Sequence, residues 1–210
     1  MTAMANRNPV TAWKALKEGN ERFVAGAAEH PDQSVEHRAS LTSGQQPFAA
    51  VLGCSDSRAP AELIFDQGFG DLFVIRTAGQ VLDAAVLGSL EFGVGVLNVP
   101  LIVVLGHRSC GAIKATLATV DGGDIPGGYV RDLVERVTPS VLAGRRDGLT
   151  TPEEFEARHA TETAAQLLAR SATIADGVAA GTLAIVAAIY ELADGRVMVR
   201  DHVGDVGDAA

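Results

Sequence analysis

Val51-Leu52-Gly53-Cys54-Ser55-Asp56-Ser57-Arg58 and, further on, Val104-Leu105-Gly106-His107-Arg108-Ser109-Cys110-Gly111 decide how this chain is read. In each stretch an apolar run ends in Gly, and the next side chain, Cys54 or His107, is a soft or borderline metal ligand. The two runs, 48–52 and 101–105, are short, apolar and bounded by Pro on one side and Gly on the other. That is the pattern of strands buried on both faces, as in a parallel sheet. Side by side and parallel, they would bring Cys54 and His107 out at the same level of the carboxyl edge, where open α/β sheets hold their ligands. Cys110 follows His107 by three residues and opens a predicted helix over 111–120. Two thiols and an imidazole then converge on one point, which reads as a zinc site.

Outward from this pair, the chain alternates strand and helix. Residues 1–8 are polar and expected to fray. From Thr11, the residues Trp13, Leu16, Phe23 and Val24 recur at roughly helical spacing, predicting an amphipathic helix that must cover either the domain or a second copy of the chain. A short helix over 34–41 is broken by Gly44-Gln45-Gln46-Pro47. Strand 48–53 leads to a turn and a short helix that Pro60 can start. Strand 71–76 leads to the loop Thr77-Ala78-Gly79-Gln80, and Asp83 can cap an apolar helix running to about Val96. Strand 101–106 and helix 111–120 follow, and such alternation implies right-handed crossovers.

Beyond the Gly-rich loop at 121–128, two helices are expected. The second opens on Thr151-Pro152-Glu153-Glu154, a capping box with Pro at the first helical position. Strands over 183–190 and 196–200 flank Ala193-Asp194-Gly195, a hairpin signal, and residues 204–210 form a small polar tail. The expected architecture is α/β: a mostly parallel central β-sheet with an antiparallel edge strand, flanked by helices and preceded by an N-terminal helical arm. No repeat or low-complexity linker divides the chain, so 1–210 is expected to be one domain. Within it, 1–45 is the arm, 46–120 the zinc-site core, 121–180 a helical segment and 181–210 the hairpin and tail.

The bulk numbers exclude several classes of function. A chain of 210 residues, 47% hydrophobic and 20% charged, has ordinary globular composition. A formal charge of −9 argues against a nucleic-acid or anionic-membrane surface. No apolar run approaches the roughly 20 residues of a bilayer span. The first ten residues hold no apolar stretch of signal-peptide length, so a cytoplasmic protein is expected. In a reducing compartment, two cysteines point to metal or catalysis rather than a disulfide.

Zinc accepts thiolate and imidazole, and a catalytic site offers three protein ligands and one open position. Cys54, His107 and Cys110 supply that count. A helix start at Cys110 favours its thiolate. Asp56 is near enough to be a fourth ligand or to accept a proton from metal-bound water, and Arg58 can form a bidentate pair that holds its carboxylate away from the metal. Two thiolates cancel the ion's charge, so bound water should be less acidic than the pKa of about 7 seen with three imidazoles, and activity should rise above neutral pH. His30, His37, His159 and His202 lack a second ligand at useful spacing and read as surface or packing residues. A phosphatase reading of Cys54 with Arg58 lacks a phosphate-cradling loop, and no Gly-x-Gly-x-x-Gly follows a strand.

Cys54-Ser55-Asp56-Ser57-Arg58 with Gly106-His107-Arg108-Ser109-Cys110-Gly111 resembles the signature of the β-class carbonic anhydrases, and the resemblance runs from about Trp13 to the C-terminal hairpin. It implies zinc held by Cys54, His107 and Cys110, a zinc-bound hydroxide attacking carbon dioxide to give bicarbonate, and Asp56–Arg58 as the orienting dyad. It also implies a closed form in which Asp56 takes the fourth metal position. Homodimers, often paired into tetramers, are implied, with N-terminal helices embracing the partner. Gln45 matches a glutamine that hydrogen-bonds substrate from the neighbouring subunit. Phe73, Ala78 and Phe92 fall where the family lines its small apolar pocket, and Gly111 joins the substrate contacts. Phe92 stands where many members carry Tyr, and Val51 where the bicarbonate-inhibited members carry Trp, whereas Arg76 of that regulatory site is present. Two other readings share the residues: hydrolysis of carbon disulfide or carbonyl sulfide on the same zinc, or a structural zinc domain without catalysis.

Overall fold

The structure is a computed structural model that describes residues 7–208; the polar start over 1–6 and the last two tail residues lie outside the described residues. Helix α1 (Pro9–Val24) begins with Pro9 in its first turn and the side chain of Asn8 accepting from the Thr11 N–H. The short α2 (Val35–Ser40) is capped by Ser34 and runs into a tight turn, Leu41–Ser43. Then come β1 (Ala49–Cys54), α3 (Ala61–Ile64), β2 (Leu72–Thr77), the turn Ala78–Gln80, α4 (Ala84–Gly95) capped by Asp83, β3 (Leu101–His107) and α5 (Gly111–Val120). Helices α6 (Val130–Arg146), α7 (Pro152–Arg170) and α8 (Ala172–Ala179) precede β4 (Ala184–Tyr190) and β5 (Val197–Val203).

Where the sequence predicts two helices after the glycine loop, the structure has three. Ser171, with extended backbone (φ −123°, ψ 111°), ends α7 and caps α8 by accepting from the Ile174 N–H, so one polar residue breaks an otherwise continuous helical pattern.

The strands form a five-stranded sheet in the order β2-β1-β3-β4-β5. All pairings are parallel except β4–β5. The central strands β1, β3 and β4 are buried along their whole length, as continuous apolar runs require, while the edge strands β2 and β5 are half exposed. Alternate side chains feed two cores. On one face Val51, Val103 and Val186 pack with Trp13, Leu16, Ile64 and Phe65. On the other, Leu52, Val104 and Ile185 pack with Leu90, Leu167 and Ile174. Trp13 and Leu16 are 1% and 0% exposed, so α1 covers this chain's own sheet rather than waiting for a second copy.

The order of the strands places the site. After β1 the chain lays β2 on one side, then returns to lay β3 on the other. The crevice at the carboxyl ends of β1 and β3 is therefore the topological switch point of the sheet. A third apolar cluster, Cys54, Val81, Cys110, Ile113, Val137 and Phe155, closes that end beneath α5, α6 and α7. No helix among the described residues is long and apolar enough to cross a membrane.

Candidate metal centre

Cys54 is the last residue of β1, and His107 the last of β3. The two strands run parallel with Gly53 opposite Leu105, so both side chains leave the sheet at its carboxyl edge. Cys110 follows across a short turn in which Ser109 takes a left-handed φ of 57°, and it sits at the cap position of α5. The ligand atoms of Cys54, His107 and Cys110 all lie within 4.8 Å of one another, and all three residues are buried.

Each candidate ligand residue is anchored by a hydrogen bond. His107 Nδ1 donates to the Arg108 carbonyl at 2.8 Å, which leaves Nε2 as the nitrogen free to coordinate. Nε2 is buried without a hydrogen-bond partner, a costly arrangement unless an ion completes it. The Cys54 sulfur accepts the Gly79 N–H at 3.2 Å. The Cys110 N–H donates to Glu156 Oε1 at 3.0 Å. Glu156 is itself buried and reaches Arg108 Nη1 at 3.4 Å, while Arg108 also binds the carboxylate of Glu191.

Charge within the cluster is lopsided. The Cys54 pKa lies far below the usual thiol range, first because of the adjacent Cys110 thiol and, against the cost of burial, because of His107 and the Gly79 N–H. The Cys110 pKa is pushed up by the Cys54 thiolate and by burial. The pair thus releases one proton readily and resists losing the second. A dication between the sulfurs removes that resistance, because each thiolate then faces positive charge. Burial disfavours protonated His107, but the neighbouring Cys54 thiolate outweighs it and the net shift is upward.

Asp56 borders the cluster, its Oδ2 standing 4.0 Å from His107 Nε2. Arg58 grips it with two side-chain bonds, Nε to Oδ1 at 2.9 Å and Nη2 to Oδ2 at 2.8 Å, and its backbone N–H adds a third to Oδ1 at 2.9 Å. These bonds hold the Asp56 carboxyl well below its ordinary range. Arg76, from β2, donates to the Cys54 carbonyl at 2.9 Å and the Asp56 carbonyl at 2.6 Å, fixing the backbone that carries both.

The remaining site residues predicted from sequence divide in two. Ala78 and Gly111 sit beside the cluster, Ala78 in the turn that approaches Cys54 and Gly111 directly after Cys110. Gln45 precedes β1, at the opposite end of the sheet, where it lines a cavity of about 410 Å³ with Arg7, Asp32, His37 and Phe48. Phe73 pairs with Ala50, early in β1, and its ring lies 6.2 Å from that of Phe92, which is 46% exposed. A single chain therefore does not bring Gln45, Phe73 and Phe92 to the three ligands.

Sequence reasoning passed over Glu156 and assigned His159 to surface or packing. His159 is buried, with its two ring nitrogens within hydrogen-bond distance of the Ser140 hydroxyl and the Gly79 carbonyl. The available signal was a Glu and a His three apart on the buried face of α7, beside Phe155, Ala160, Ala164 and Leu167.

A profile of the carbonic anhydrase family matches residues 49–197. Over 205 residues the chain is 64% identical to carbonic anhydrase 2 of Mycobacterium tuberculosis, covering 98% of this chain and 99% of that protein. It is equally, 64%, identical to the carbonic anhydrase of Mycolicibacterium smegmatis, over 98% of this chain and 100% of that one. Among solved structures, a tetrameric β-carbonic anhydrase from Sordaria macrospora superposes with a TM-score of 0.70 at 24% identity, covering 90% of this chain and 96% of the other. The Coccomyxa β-carbonic anhydrase, solved with acetazolamide, gives a TM-score of 0.71 at 21% identity, over 98% and 91% of the two chains. The structural likenesses establish the fold, and the full-length identities establish the family. With two cysteines and a histidine gathered at the switch point of its sheet, this chain belongs to the carbonic anhydrases of the β class.

Proposed function

We propose that this chain interconverts carbon dioxide and bicarbonate at a zinc ion held by Cys54, His107 and Cys110. The observation that carries the reading is the buried, unpartnered His107 Nε2 facing two sulfurs, with its tautomer already fixed by the Arg108 carbonyl. One nitrogen and two soft sulfurs are a donor set that zinc accepts, and three protein donors leave a position open. Zinc, when bound, supplies a Lewis acid that makes water a nucleophile near working pH.

The chain's own residues do the rest. Asp56 stays ionised and acceptor-only because Arg58 engages both its oxygens, so it orients the attacking water by accepting its hydrogen from a fixed direction. Arg58 holds Asp56 in place and keeps it from swinging onto the metal. Hydration of carbon dioxide yields bicarbonate and one proton, and the reverse consumes both. Two thiolate ligands neutralise the dication, which favours activity on the alkaline side of neutrality. Gln45, Phe73 and Phe92 fit a substrate pocket only if a second copy brings its sheet end to this chain's metal edge, and we place the working enzyme as a homo-oligomer. The two unpaired cysteines accord with a reducing cytoplasm.

The test is stopped-flow hydration of carbon dioxide by zinc-loaded protein at about pH 8 to 9, where the thiolate-rich donor set should be active. Turnover well above the buffer reaction is expected. Zinc-replete, folded protein with no turnover would overturn the proposal.

A further inference from the structure

The turn Ala78–Gln80 carries the N–H that the Cys54 sulfur accepts, and its backbone is unusual. Gly79 and Gln80 are both left-handed, with φ of 69° and 41°, and Gln80 is 2% exposed. That conformation costs a residue with a Cβ on the order of 1 kcal/mol, so something must hold the turn. Position 79 also takes only glycine, since a Cβ there would stand 2.7 Å from the Ala112 side chain. Thr77 Oγ1 spans the turn to the Val81 carbonyl at 3.1 Å but bypasses the Gly79 carbonyl.

The bond that reaches Gly79 itself comes from α7. His159 Nε2 lies 2.8 Å from the Gly79 carbonyl, and its Nδ1 lies 2.9 Å from Ser140 Oγ on α6. A carbonyl only accepts, so Nε2 carries the proton and the Ser140 hydroxyl donates to Nδ1. The ring is 2% exposed and has both nitrogens engaged, leaving no freedom to turn. Ser140 and His159 thus anchor the carbonyl side of Gly79, whose N–H on the other side of the Cα donates to the sulfur of Cys54, a candidate metal ligand.

We propose that His159 is a positioning residue for the metal centre. Through the Gly79 carbonyl it fixes the left-handed turn whose N–H donates to the Cys54 sulfur, and so sets how much electron density that thiolate gives the metal. Hydrogen bonds behind a ligand commonly change metal affinity or activity by about 10- to 100-fold. The inference rests on the metal reading above and extends it to a residue that touches neither ligand nor substrate.

The test uses cobalt(II)-substituted protein and the sulfur-to-cobalt charge-transfer band. Losing an N–H···S bond raises the energy of the sulfur lone pair and moves the band to longer wavelength. His159→Leu removes the donor and His159→Asn is too short to reach Gly79. Both should shift the band that way and lower kcat/KM by about tenfold. His159→Gln, whose amide can reach the same carbonyl, should return the band toward the wild-type position. Ser140→Ala keeps the ring but frees it, giving a smaller shift in the same direction. That variant decides the matter should the first two fail to fold. A band at the wild-type position in every disruptive variant that folds overturns the proposal, even where melting temperature falls, because His159 would then only stabilise. Wild-type protein that takes up no cobalt overturns the metal reading, and this inference with it.

Discussion

Asp56 engages both its carboxylate oxygens with Arg58 while standing 4.0 Å from the imidazole nitrogen that faces the metal site. An ion pair at a half-exposed surface is worth little to stability. Its value at this position is directional, since it keeps a charged acceptor at the rim of the ligand cluster. Asp56→Asn should therefore leave the fold and metal content intact and lower kcat by roughly 100-fold, the usual scale for losing a positioned proton acceptor. Metal analysis and stopped-flow kinetics on the same preparation check this, and equal kcat in the variant would remove Asp56 from the mechanism. The Asp56–Arg58 pair was legible before folding, because a carboxylate and a guanidinium two residues apart just beyond Cys54 can meet within the local chain. Glu156 and His159 were not legible. They lie far along the chain on α7, and helical spacing shows that they share a face without showing which loop that face meets.

Helix α1 presents a different balance. Its apolar residues are few, and spacing alone left open whether they cover this sheet or a partner's. Trp13 and Leu16 settle the matter by packing on Val51, Val103 and Val186 of this chain's own sheet. The buried Asn20 adds to the anchorage, donating to the Ile64 and Gly195 carbonyls and accepting from the Val197 N–H, which ties α1 to α3 and to the β4–β5 hairpin. Trp13→Ala should cost about 3–5 kcal/mol, the loss typical of deleting a buried aromatic. That is a large share of the roughly 5–15 kcal/mol that holds a domain folded. Urea unfolding measures it, and a loss below about 1 kcal/mol would mean that α1 is not packed on its own sheet in solution. The strands were easier to read than this helix. Continuous apolar runs ended by Gly leave a buried parallel strand as the natural solution, whereas the break at Ser171 depends on one side chain choosing to cap a helix.

At the scale of the whole molecule, the sheet separates the residues assigned to the pocket. Cys54 and His107 leave at the carboxyl edge, while Gln45 lies before β1 at the other end and Phe73 sits opposite Ala50. A second copy must close that distance if these residues meet substrate. Equilibrium sedimentation should then find a homo-oligomer, and Gln45→Ala should lower kcat/KM by about tenfold, near the worth of one hydrogen bond to a charged group, without loss of metal. A fully active monomer would contradict this. That β1 and β3 are parallel neighbours was foreseeable from their matched apolar runs, but the full strand order is not fixed by alternation, and the relation of one copy's end to another's edge is not written in any single chain's spacing. Beneath all of this lies one spatial claim, that residues 54, 107 and 110 enclose a single zinc ion. Elemental analysis of purified protein tests it most directly. The account predicts one zinc per chain, lost in Cys54→Ser and in Cys110→Ser, whereas wild-type protein that hydrates carbon dioxide at full rate with no bound metal would contradict it.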